Sequence, residues 1–198
     1  MSLTNRKAIL ARERLRRRYR PTPVRLLFVG EAPPASGRFF YQADSGLYRA
    51  VRDAFVMAFP IISRTDFLES FHAMDCYLVD LCGRPVDRLT SRQRKQACVG
   101  GELRLGKMLM QLQPRVIVTV VRSIAGNVRR ARQRVSWAGT LLELPYPGRW
   151  HRHRVAFMDA LVPVLLSELD MSGIRVEDPD GELRPEVTAQ KKRRSAIT

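Results

Sequence analysis

Cysteine and histidine are scarce, three of each in 198 residues. Cys76, Cys82 and Cys98 form an odd, sparse set that cannot make a disulfide framework, so a reducing cytosol is expected. No stretch approaches the roughly 20 apolar residues that a membrane span requires. The opening residues, Met1-Ser2-Leu3-Thr4-Asn5-Arg6-Lys7, lead into no long apolar run, and no secretory leader is expected. Acidic residues are few as well. Against 35 Lys or Arg there are 19 Asp or Glu, a formal net charge of +16. Such an excess points to a polyanionic partner, nucleic acid first; a ribosome-associated or anionic-membrane-surface role is the competing reading. The hydrophobic fraction of 45% excludes a wholly disordered chain. A single domain of this length buries about 70% of its unfolded surface without staples.

The positive charge is clustered. Arg12 to Arg20 reads Arg-Glu-Arg-Leu-Arg-Arg-Arg-Tyr-Arg, and the chain closes near Lys191-Lys192-Arg193-Arg194. Between them lie Arg129-Arg130-Ala131-Arg132-Gln133-Arg134 and Arg149-Trp150-His151-Arg152-His153-Arg154. The organisation expected is a basic helical segment over 1–23, a folded domain over 24–170 and a solvated charged tail over 171–198.

Within the domain, apolar runs alternate with helical periodicity. Strands are expected at 24–29, 76–81, 115–121 and 141–144. Helices are expected from Asp44 or Ser45 to Ala58, from Thr90 or Ser91 to Leu112, from Ser123 to Arg134, and from Ala156 to Leu169 with Pro163 inside it. This alternation gives an α/β domain with three layers, α/β/α, around a four-stranded parallel sheet. Ligands of such sheets bind beyond the carboxyl ends of the strands. The loops to watch are therefore Gly30-Glu31-Ala32-Pro33, Asp80-Leu81-Cys82, Arg122-Ser123 and Pro145-Tyr146-Pro147-Gly148.

These loops resemble those of the uracil-DNA glycosylase superfamily. Gly30-Glu31-Ala32-Pro33 is similar to the Gly-Glu-Ala-Pro-Gly motif of its iron–sulfur bacterial and archaeal class. Gly37-Arg38-Phe39-Phe40 and Ser45-Gly46-Leu47 resemble two further segments of that class. Cys82-Gly83-Arg84-Pro85, running to Ala97-Cys98, repeats the sixteen-residue separation of two cluster cysteines. Pro145-Tyr146-Pro147 falls where the family has a His-Pro-Ser-Pro loop. The resemblance spans roughly 24–168, and the order of the pieces carries it.

The resemblance implies excision of uracil from DNA by water attack on a flipped nucleotide. Glu31 takes the acidic first-loop position, steadying the sugar cation and orienting water. Ala32 and Phe40 contact the flipped base, with Phe39 or Tyr41 as alternatives for stacking. Asp80 falls on the base-reading asparagine if a two-residue deletion precedes Cys82; otherwise Leu78 takes that place. A protonated Asp80 imitates Asn, an ionised one only accepts, and a plain strand-end cap is the third reading. Pro147, Gly148, Arg149, Trp150, His151 and His153 are expected to contact DNA.

Three departures shape the expectation. Residues 1–23 hold no cysteine, so half the cluster ligands are missing and neither metal nor organic cofactor is expected. Pro34 replaces the glycine after the first-loop proline. The motif-two histidine falls on Leu144, which cannot donate to the departing base, and Arg149, His151 and His153 are the substitutes considered, Arg149 foremost. The partner expected is uracil-containing DNA, for a monomer in the cytoplasm associated with the nucleoid. A catalytically inactive DNA-binding relative, and a glycosylase for another deaminated base, stay open.

Overall fold

The computed structural model describes residues 3–148 and 150–171. A basic helix, α1 (Leu3–Arg18), precedes the first strand, β1 (Leu26–Gly30). The chain continues through α2 (Gly46–Ala58), α3 (Phe67–Ala73), β2 (Cys76–Asp80), α4 (Ser91–Leu112), β3 (Val116–Thr119), α5 (Ala125–Gln133), β4 (Thr140–Glu143) and α6 (His151–Glu168). Short 3-10 turns at 40–42, 60–64 and 122–124 join some of them.

The strands form one sheet in the order β2-β1-β3-β4, every neighbour parallel. β1 is central and fully buried, as its unbroken apolar run requires. α2 packs on α6, and α4 packs on α5. Right-handed crossovers put these two pairs on opposite faces, because β1 steps to one side to reach β2 while β2 steps back past β1 to reach β3. The three-layer α/β arrangement expected from the alternation is thus present.

Local chemistry sets the helix starts. The Ser45 hydroxyl accepts from the Tyr48 N–H at 3.1 Å to open α2. Asp66 does the same for Leu68 and Glu69 at the start of α3. Thr90 and Gln93 form a reciprocal capping box at α4. α4 ends at Gln113, which has φ +41° and stands just before Pro114. α3 has no counterpart in the sequence expectation, and α6 begins at His151 rather than Ala156 and runs on past Pro163.

Under α2 and α3 the core is aromatic. The Phe28 ring lies 5.4 Å from Phe71, and Phe55 and Phe67 meet edge to face at 5.3 Å. At the sheet edge, the Tyr41 hydroxyl accepts from the Leu78 N–H at 2.7 Å and donates to the Leu78 carbonyl at 3.0 Å. One side chain thereby closes backbone groups that an edge strand leaves open. Tyr19, just after α1, stacks on the Tyr41 ring at 5.6 Å and so fastens the basic helix to this edge. On the other face, the buried Glu102 of α4 accepts from Asn127 at 2.8 Å and from Arg130 at 2.8 and 2.9 Å, tying α4 to α5.

Candidate active site

β1 and β2 end side by side, with Gly30 in register with Asp80. A Cβ at residue 30 would stand 2.8 Å from Asp80 Oδ1, so glycine gives the carboxylate its room. Beyond these ends opens a cavity of about 320 Å³. Gly30, Leu78 and Asp80 from the two strands line it, with Glu31, Ala32 and Phe40. Arg94, Asp87 and Tyr146 line it as well. This is the low end of the roughly 300–1,000 Å³ range of small-molecule pockets, a size for one heterocycle rather than a whole nucleotide chain.

Of the carboxylates lining the cavity, Asp80 and Glu31 stand in different surroundings. Asp80 is buried, and its pKa is raised to about 6. Desolvation is the main cause; the positive charges of Arg16 and Arg104 oppose it. Arg104 reaches the Asp80 backbone carbonyl and donates to that of Leu81 at 3.0 Å, so it braces the strand end rather than the carboxylate. Glu31 is gripped as a fork. Arg94 Nε donates to Oε1 at 2.6 Å, and the second guanidinium nitrogen reaches Oε2. The fork holds the Glu31 carboxylate beside the cavity, and Oε2 keeps a lone pair free to accept.

Phe40 is buried, with its ring 5.3 Å from Phe71 and edge-on to Tyr48 and Phe67. It is part of the aromatic core and of the cavity wall together, which fixes its orientation. Phe39, beside it, also lines the cavity, whereas Tyr41 is occupied with Leu78.

Four of the expected residues, Glu31, Ala32, Phe40 and Asp80, thus share one cavity. The remaining described ones lie apart. Pro147 and Gly148 line a separate cleft along α2. His151 opens α6 on the exterior, His153 is half-buried in its first turn, and Trp150 is exposed; none of these three lines the cavity. Arg149 lies outside the described residues. Leu144 is fully buried beyond β4, its N–H donating to the Thr119 carbonyl at 2.8 Å. The side chain from this loop that does line the cavity is the neighbouring Tyr146, with a hydroxyl to donate. Arg94 escaped the sequence reading too. Its position one helical turn before Cys98 was the available signal, since Cys98 Sγ stands 3.8 Å from Glu31 Oε1.

Cys82 and Cys98 approach each other to 3.8 Å between sulfurs. Burial, with the neighbouring Cys98, pushes the Cys82 thiol up to about 12. Cys76, the third, sits in β2 with its thiol turned to the Met74 carbonyl. Two high-pKa thiols do not fit the four thiolates of an iron–sulfur cluster. Among the described residues no group of three or more His, Cys, Asp or Glu could hold a metal ion. No helix among them is long and apolar enough to cross a membrane. No family model and no curated protein matches this chain.

Proposed function

We propose that this protein is a monofunctional DNA glycosylase, related to the uracil-DNA glycosylases, that excises uracil by hydrolysis of the N-glycosidic bond. The observation that carries the reading is the gathering of Glu31, Ala32, Phe40 and Asp80 around one base-sized cavity at the carboxyl ends of β1 and β2. The net charge of +16 supports DNA as the partner. A monomer in the cytoplasm, at the nucleoid, is the setting this chemistry calls for.

The target nucleotide leaves the base stack, and its base enters the cavity against Phe40. Asp80 meets the base edge. In its neutral form it donates through its hydroxyl and accepts through its carbonyl oxygen, the pair of contacts that O4 and N3–H of uracil require. Cleavage leaves positive charge on the sugar and negative charge on the base. Glu31, held in place by Arg94, faces the first and orients the attacking water with the free lone pair of Oε2. Tyr146, the residue of this loop that lines the cavity, offers its hydroxyl as the donor for the departing base, a role that the buried Leu144 cannot take.

A second reading, a DNA-binding relative without chemistry, is favoured by one observation: both Glu31 oxygens are engaged by Arg94. Labelled single- and double-stranded oligonucleotides carrying uracil, hypoxanthine or xanthine, treated with protein and then alkali, separate the readings. Strand scission at uracil supports excision; scission only at a purine reassigns the base; bound but intact strands favour the relative without chemistry.

A further inference from the structure

A second cleft, of about 540 Å³, runs along the flank of α2. Arg49 and Arg52 of α2, the Pro147–Gly148 turn and Arg154 of α6 line it. It adjoins the base-sized cavity: Ser45 and Tyr146 line the one, Gly46 and Pro147 the other. The turn between them is closely fitted, since a side chain at residue 148 would run into the Tyr146 ring.

The charge in this cleft is unbalanced. Its one carboxylate, Asp53, is taken by Arg154. Arg49 and Arg52 have no ion-pair partner among the described residues. Standing three residues apart, they project from adjacent turns of one helix flank. The first turn of α2 carries no acidic residue to offset them. Two free guanidinium forks in a concave wall, with a third held in place beside them, match the oxygens of a phosphodiester. A flat anionic surface would not enter such a cleft.

We propose that this cleft seats a backbone phosphate of DNA, flanking the nucleotide whose base enters the neighbouring cavity, with Arg49 and Arg52 as its ligands. The proposal rests on the glycosylase reading of that cavity, and it sets the side from which the strand arrives. Phosphate contacts of this kind fix register without reading sequence.

The test is fluorescence anisotropy of a labelled uracil-containing duplex with the full chain across a salt series. Variants are R49A/R52A, the charge-preserving R49K/R52K, and K107A/R115A, which removes two cations remote from the cleft. Each phosphate neutralised contributes about 0.9 to the slope of log affinity against log salt. R49A/R52A should flatten the slope by about 0.9 on that scale, one phosphate's worth, while R49K/R52K and K107A/R115A stay near the parent. Circular dichroism checks that each variant is folded. Bound DNA with a parental slope in a folded R49A/R52A overturns the proposal and leaves the glycosylase reading standing. A parent that binds no DNA overturns both.

Discussion

Asp80 ionises against its surroundings. Its pKa of about 6, from an ordinary value of 3.8, means that the fold favours the neutral acid. Stability from that preference is present at low pH and is lost as pH rises through about 6. The difference corresponds to about 3 kcal/mol at neutral pH. Asp80→Asn should therefore be more stable than the parent at pH 8, with the gap closing between pH 6 and 4; denaturant unfolding at several pH values measures it. On the proposed function, the same variant keeps excision at pH 8, where the parent's falls off as Asp80 ionises. Glu31→Gln tests the neighbouring group. It should lower single-turnover excision by at least tenfold, about 1.4 kcal/mol of transition-state stabilisation, while DNA affinity stays within a few fold. Equal losses in both, or none, would remove Glu31 from the chemistry.

Elements bring these side chains together, and here the sequence was legible in parts. The apolar runs ending at Gly30 and Asp80 are short, unbroken and flanked by turn residues, so their strand character and their shared loop edge could be read directly. The partners of Glu31 and Asp80 could not. Arg94 and Arg104 come from α4, whose many charged residues look alike in one dimension; only the packing of that helix beside β2 selects these two. α3 was missed because seven residues give too little periodicity to stand out. Leu144 shows the opposite limit: its place in the loop order resembles that of a catalytic residue, yet the end of β4 turns it into the core. α4 approaches the chain closely just past the end of β2, at Gly101, where a side chain would collide with the Leu81 carbonyl. Gly101→Ala should destabilise the fold by about 1–3 kcal/mol through forced repacking, and an unchanged unfolding midpoint would contradict this close approach.

At the scale of the whole molecule, the fold, the charge and the cavity bear on one activity. The sheet supplies an edge where loops converge; on the proposed function, the net charge of +16 attracts DNA and the cavity admits one flipped base. The cysteine arrangement adds an expectation: protein purified from cells grown with ample iron should carry no stoichiometric iron or sulfide, and a cluster absorption band would contradict the two-thiol assignment of Cys82 and Cys98. The central claim is excision itself. Its most direct measurement is mass-spectrometric detection of the free base released from uracil-containing DNA by the purified full chain. Excision should yield free uracil, with one abasic site formed for each base released and none from matched thymine DNA; DNA that is bound by the protein yet keeps every uracil would contradict it.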